Sequence, residues 1–328
     1  MSQKQDAVRL MNQLGKDGCP FFFMVDFLQQ RPVVIPLGDL EAHGVRIEMG
    51  GFSNGKLCEG GKSVSVSSMG YSNKSYISQF DRVVSEIRKG NSFLVNLTCQ
   101  TPISLNASLL DVFQQADARY KLLYQDRFVV FSPETFVKIE DGTISSFPMK
   151  GTIDAALPGA CEAILSNAKE KAEHCTIVDL IRNDLSLVAS NVRVKRFRYI
   201  DELFTDKGSL LQVSSEITGQ LPDDYGAHMG DLLFRLLPAG SITGAPKKKT
   251  VEIILDAETY DRGYYSGVFG IFDGKNLDSA VMIRFIEKTP EGYVYKSGGG
   301  ITAYSNPEDE YNEMLKKIYV PAHRNHLS

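Results

Sequence analysis

The chain has no tryptophan and only five cysteines, Cys19, Cys58, Cys99, Cys161 and Cys175. Their number is odd and no two stand in a C-x-x-C spacing. That argues against a disulfide framework and against a cysteine zinc site, and it suits a reducing compartment. No apolar run approaches the roughly 20 residues that span a bilayer, and the opening MSQKQDAVRL has no apolar signal core. A basic excess is missing too. Lys and Arg number 36 against 40 Asp and Glu, a formal net charge of −4, which leaves no electrostatic footprint for nucleic acid. The expectation is a cytoplasmic protein that engages neither membrane nor nucleic acid. The one basic run, Lys247-Lys248-Lys249, reads as a solvated turn of helix. There is no G-x-G-x-x-G, no His pair at metalloprotease spacing and no internal repeat. The loop Gly240-Ser241-Ile242-Thr243-Gly244-Ala245-Pro246-Lys247 is not a nucleotide P-loop, because its glycine spacing differs and no Lys-Ser/Thr follows.

What is present is an ordinary globular composition over 328 residues, enough for a large core in one domain or two. Apolar strands are expected at Phe21–Val25 and Val33–Leu37. A Gly- and Ser-rich stretch from Gly50 to Ser75 follows, with a soft boundary near Ser75. Ile77, Phe80, Val83, Val84 and Ile87 recur at helical spacing up to Gly90, and the strand Phe93–Thr98 comes next. Arg127–Met149 reads as a hairpin turning at Asp141-Gly142, and helices are expected from about Glu162 to Val188. The runs VFGIF, AVMIRFIE and YVYKSG read as a three-stranded meander over 267–301. Asn306-Pro307 opens a last helix. Strands and helices in no strict alternation give an α+β class.

Several residues carry chemistry on their own account. Glu173 shares a helical stripe with Ile177, Leu180 and Ile181, so once buried it needs a partner; the alternative is a helix-edge side chain that reaches solvent. Glu310 and Glu313 project from one face of the last helix. Either Glu308, Asp309 and Glu310 simply fill a first turn, where the helix dipole favours negative charge, or the pair are oxygen ligands for a hard cation such as Mg²⁺. Arg284 stands in an apolar run and calls for a carboxylate partner or an anionic substrate. Gly298-Gly299-Gly300 after a strand, like the Gly240–Lys247 loop, offers backbone N–H groups to an anion. Lys150 and Glu134 look like ordinary strand-end residues.

Motifs in order change that standing. SPETF (132–136), FPMKGT (147–152), AEHCTIVDLIRNDL (172–185), PAGSITGAPK (238–247), SGVFGIF (266–272), AVMIRF (280–285) and SGGGITAYSNPEDEYNE (297–313) resemble the chorismate-utilising enzymes over about residues 75–320. The resemblance implies a single large domain, like anthranilate synthase component I, with two packed antiparallel sheets flanked by helices. Residues 1–75 would form a shortened N-terminal sheet region packed on that domain, and 76–328 the chorismate-binding catalytic region. It further implies that Glu173, Glu310 and Glu313 hold Mg²⁺ against the ring carboxylate. Arg284, Tyr265 and the backbone of Gly298, Gly299 and Gly300 would bind the enolpyruvyl carboxylate, with Thr152 and Ser241 also at the substrate. Glu134 would protonate the departing 4-hydroxyl.

Within the family, Lys150 in P-x-K-G-T resembles aminodeoxychorismate synthase component I, whereas anthranilate synthases carry alanine there. By that likeness Lys150 is a nucleophile, and its pKa is expected to be lowered. Isochorismate and salicylate synthases place a lysine base where this chain has Leu94, and aminating relatives place glutamine there, so Leu94 fits neither pattern. The histidine of the family's HLVS segment is replaced in Leu211-Gln212-Val213-Ser214. No Gly-x-Cys-x-Gly elbow surrounds any cysteine, so the resemblance implies a separate glutamine amidotransferase partner and a separate downstream lyase. Anthranilate synthase, isochorismate or salicylate synthase, and an inactive chorismate-binding scaffold are the other readings.

Overall fold

The Asp141-Gly142 turn shows local sequence setting the fold. Both residues have positive φ, 47° and 76°, as a two-residue hairpin turn needs. They join strands Thr135–Glu140 and Thr143–Ser146 in antiparallel register. The computed structural model describes residues 2–55, 63–205 and 208–321, apart from the side chains of Thr152, Lys169 and residues 203–205 and 208. Cys58 lies outside the described residues.

The described strands form two nine-stranded antiparallel sheets. The first runs Met149–Asp154, Gly208–Gln220, Thr143–Ser146, Thr135–Glu140, Leu277–Val281, Val268–Phe272, Phe21–Val25, Val33–Pro36, with Ser190–Thr205 also on Gly208–Gln220. The second runs Gly244–Ala245, Leu94–Leu105, Gly292–Ile301, Phe285–Thr289, Phe128–Ser132, Tyr120–Tyr124, Val45–Met49, Phe52–Ser53, with Val66–Ser68 on Leu94–Leu105. Phe22, Met24 and Phe269 from one sheet pack with Tyr120, Phe128 and Phe285 from the other in one buried cluster. Rings Phe128 and Phe285 stack at 4.8 Å. Burying such a side chain stabilises by about 1.5–3 kcal/mol, and this cluster joins the two sheets. Helix Ala168–Ser186 packs on the far end of the first sheet. Helices Asn73–Arg88, Lys247–Ala257 and Pro307–Lys316 cover the second. This is the expected fold: one domain of two antiparallel sheets flanked by helices.

Three local expectations are corrected, and one hairpin is added. The chain opens with a helix, Gln3–Lys16, before any strand; Ser2 and Gln5 form its capping box and Ala7, Met11 and Gly15 face the core. The strand after Gly90 runs to Leu105. The long hairpin of Ser190–Thr205 and Gly208–Gln220 carries exposed charged residues that hide its strand character. Finally, 267–301 is four strands in two sheets, because AVMIRFIE divides between Leu277–Val281 and Phe285–Thr289. Both halves are buried, so hydropathy alone does not reveal the break.

Candidate active site

Phe128–Ser132 pairs with Phe285–Thr289 in the second sheet, and Thr135–Glu140 pairs with Leu277–Val281 in the first. These four segments form one two-stranded ribbon that passes from sheet to sheet, crossing at Pro133-Glu134 on one side and Met282–Arg284 on the other. The crossings are tied together. The Phe131 N–H donates to the Arg284 carbonyl and the Val281 N–H to the Glu134 carbonyl, each at 3.1 Å. Arg284 takes φ +54°, a left-handed conformation that costs a long side chain energy and marks a functional position. The ribbon therefore presents Glu134 and Arg284 side by side, both partly buried.

They line a cavity of about 180 Å³ with Tyr265, Ser241, Lys317 and the triple-glycine segment. Gly298–Gly300 do not follow a strand, as expected, but belong to it, opposite Thr98, Leu97 and Asn96. On the other side, pairing with Phe285–Thr289 stops at Lys296, so beyond it alternate backbone groups face the cavity. A Cβ at Gly298 would lie 2.3 Å from the Leu97 carbonyl, which excludes any side chain there. Arg284 and Lys317 give the cavity a positive wall suited to a carboxylate. The Ser241 hydroxyl donates to Glu134 Oε1 in a very short contact. Burial pushes the Glu134 carboxyl up, only partly offset by Ser241, Arg284 and Lys317, which favours a protonated acid. Tyr265 is buried and its hydroxyl is pushed up by burial.

Lys150 sits where Met149–Asp154 bulges against Gly208–Gln220, the register shifting between Lys150 and Thr152. Gly151 takes the bulge at φ +76°, and such a bulge re-aims the neighbouring side chain. Lys150 Nζ lies 2.7 Å from Glu173 Oε2. The apolar stripe on Ala168–Ser186 does bury its Glu173, at 9% exposure, and Lys150 is the partner. The expected lowering of the Lys150 pKa is not found. Burial disfavours the ammonium, but Glu173, Glu170 and Glu313 outweigh it and hold the pKa above its ordinary value. Glu310 is buried, and Glu313 is exposed and pairs with Lys317 at 2.8 Å. A Cβ on Gly299 would lie 3.3 Å from Glu310 Oε2 and 3.9 Å from Glu313 Oε1, so both reach the cavity's glycine wall. Among the described residues no three His, Cys, Asp or Glu side chains close into a metal cluster. The all-oxygen donor set of Glu173, Glu310 and Glu313, here balanced by Lys150 and Lys317, is nevertheless the kind that holds a hard cation. The Thr152 side chain lies outside the described residues.

Three further residues belong to this region. Glu170 precedes Glu173 by three on its helix, and its buried Oε2 finds no hydrogen-bond partner among the described residues. In sequence it hides in the charged AKEKAEH turn, although its spacing from Glu173 repeats that of Glu310 and Glu313. Lys317 reads as a plain helix-end lysine, yet it bonds the Gly298 carbonyl at 2.7 Å. His174 is buried, its Nε2 2.7 Å from Ser215 Oγ. Burial, with the charges of Arg198 and Lys150, brings its pKa down to about 4, so a neutral imidazole lies near Lys150 although Leu211 replaces the motif histidine. Lys247 also departs from expectation. It is largely buried, 2.6 Å from Asp184. Leu94 packs toward Gly300 and, with Glu173, lines an apolar groove of about 610 Å³. Among the described residues no helix is long and apolar enough to cross a membrane.

Comparison with known proteins agrees with this geometry. Residues 55–323 match the family described as chorismate binding enzyme. A Haemophilus influenzae protein named "Uncharacterized PabA-like protein" is 49% identical over 98% of both chains. Aminodeoxychorismate synthase component 1 of Salmonella typhimurium is 34% identical over 74% of this chain and 56% of its own length. Anthranilate synthase component 1 of Acetivibrio thermocellus is 34% identical over 70% of this chain and 49% of its own. Among solved structures, an isochorismate synthase of Bacillus anthracis superposes with TM-score 0.71 at 17% identity, over 96% of this chain and 86% of its own. Anthranilate synthase component I of Streptococcus pneumoniae gives 0.67 at 24%, over 78% and 59%; both show the shared fold. The chain belongs to the chorismate-binding enzyme family.

Proposed function

We propose that this chain aminates chorismate, giving 4-amino-4-deoxychorismate, the precursor of 4-aminobenzoate and folate. The observation that carries this reading is Lys150, re-aimed by its bulge into a carboxylate-rich pocket, in a site whose acid Glu134 has a raised proton affinity. The likeness to aminodeoxychorismate synthase component 1 supports it. Arg284, Lys317, Tyr265 and the Gly298–Gly300 backbone bind the enolpyruvyl carboxylate, with Ser241 beside the ring. Glu173, Glu310 and Glu313, joined by Glu170, are the residues that would hold Mg²⁺. When bound, the cation supplies positive charge for the ring carboxylate and replaces Lys150 as the counter-charge of Glu173.

The Lys150 amine, once neutral, adds to C2 of chorismate. The ring double bonds shift, and the 4-hydroxyl leaves as water with the proton of Glu134. Ammonia then adds at C4 and expels the Lys150 nitrogen from C2, so chorismate and ammonia give the aminated product and water. Leu94 stands where isochorismate and salicylate synthases place the lysine base that activates water. A separate glutaminase supplies the ammonia, a separate lyase consumes the product, and both work with this chain in the cytoplasm.

The test is to incubate the purified chain with chorismate, Mg²⁺ and ammonium at mildly alkaline pH and identify products by mass spectrometry, with and without an added lyase. 4-Amino-4-deoxychorismate is expected. Anthranilate, isochorismate or salicylate as sole product, or chorismate bound but unconsumed, overturns the reading.

A further inference from the structure

Ser241, which hydrogen-bonds Glu134, rides on a single turn, Gly240–Ile242, inside an irregular loop. A hydroxyl on such a loop is aimed only as well as the loop is held. Asn96 and Arg262 bond its Ile242 carbonyl, and two further contacts meet at Lys247. Upstream of the turn, the Leu236 carbonyl accepts from Lys247 Nζ at 2.7 Å. Downstream, Lys247 itself opens the next helix and pairs with Asp184 Oδ2 at 2.6 Å. One ammonium thus closes both ends of the loop onto helix Ala168–Ser186. The middle is pressed on the same helix: a Cβ at Gly240 would lie 2.9 Å from Leu180 Cδ2 and 3.1 Å from Asp184 Oδ2. Asp184 also shares with Glu134 and Ser241 the lining of a small cavity of about 20 Å³. Both members of the pair are largely buried, and a buried pair is a costly way to secure a loop that needs no special aim.

We propose that Asp184 and Lys247 are positioning residues, an ion pair that clamps the loop around Ser241 and so aims the Glu134 carboxyl at the reacting centre. This rests on Glu134 being the general acid. The groups facing Glu134 are Ser241 from the loop, Arg284 from the ribbon and Lys317 beyond the last helix, with Asp184 across the small cavity. The Ser241 hydroxyl bonds the ionised carboxylate and favours it. Loosening the clamp removes that bond, so Glu134 keeps its proton to higher pH while its aim worsens.

The experiment uses the full chain with chorismate, Mg²⁺ and ammonium chloride. Asp184→Asn and Ser241→Ala are each expected to lower kcat about tenfold or more, with KM for chorismate held within about twofold in Asp184→Asn. In both, the alkaline limb of the kcat–pH profile moves up. The double variant should be no worse than Ser241→Ala alone. If Asp184→Asn does not fold, Gly240→Ala pushes the loop from the helix with both charges intact and should give the same signature. Multiplying effects, or an unmoved pH limb in a folded variant, overturn the proposal. A wild-type chain that consumes no chorismate defeats the functional reading instead. The clamp is then read without turnover, from the Glu134 carboxyl titration followed by infrared difference spectroscopy against Glu134→Gln. An upward shift in Asp184→Asn supports the clamp, and no shift overturns it.

Discussion

The two halves of the site are held in place by different forces. Glu134 and Arg284 are fixed by the backbone, on adjacent crossings of a ribbon whose flanks lie in two packed sheets. Lys150, Glu170 and Glu173 are fixed by one another's charge, at a sheet end against a helix. Packing sets position, so in the first half a side chain can change without displacing its neighbour, although Ser241, Arg284 and Lys317 still act on the charge of Glu134. In the second half the carboxylates set the charge state of Lys150, and a substitution among them is felt at the amine.

The largest expected effect lies in the charge-held half. Lys150→Ala should lower turnover by on the order of 10⁶-fold, the scale of a lost nucleophile, and abolish any adduct seen by intact-protein mass spectrometry. An adduct that persists moves the nucleophile elsewhere. Next comes Glu134→Gln, with a loss of about 10²–10³-fold in kcat and little change in denaturation midpoint. A large stability loss would show that this carboxyl belongs to the packing, and the two halves would no longer differ. Arg284→Met should act chiefly on KM for chorismate, by about 1.5–3 kcal/mol of charge-assisted bonding, measured by steady-state kinetics.

The smallest effect on fold, and the sharpest test of the contrast, is Glu173→Gln. Lys150 loses its nearest carboxylate, so its labelling by an amine reagent should reach half-maximum at lower pH than in wild type. Mg²⁺ dependence should weaken while the thermal midpoint stays within a few degrees. A labelling curve that does not move would mean Lys150 is not held charged by Glu173.

Elements whose cause is local were readable from sequence. The Asn306-Pro307 helix start, the Asp141-Gly142 turn and the helix ending before Gly90 depend on capping and φ preferences carried by those residues. The sheet crossing within AVMIRFIE was not readable, because both strands are buried and nothing in residue type marks a change of sheet. Arg284 was legible as unusual, but its left-handed backbone belongs to the crossing and not to arginine. Lys150 and Glu134 took meaning only from the motifs around them, and Glu170 and Lys317 were masked by resembling ordinary helix-surface charges. Lys247 misled for the same reason. A run of three lysines looks solvated until the fold shows one of them turned inward.

The ribbon shared by the sheets has a mechanical consequence. Where two layers are stitched by adjacent, cross-bonded threads, any sliding of one layer over the other pivots about the stitch. Displacement there is least and grows toward the rims. Glu134 and Arg284 occupy that fulcrum, while the hairpins and loops at the periphery are free to differ in length or breathe with temperature. The separation of the Glu134 and Arg284 backbones is thereby kept least sensitive to what the outer parts of the molecule do.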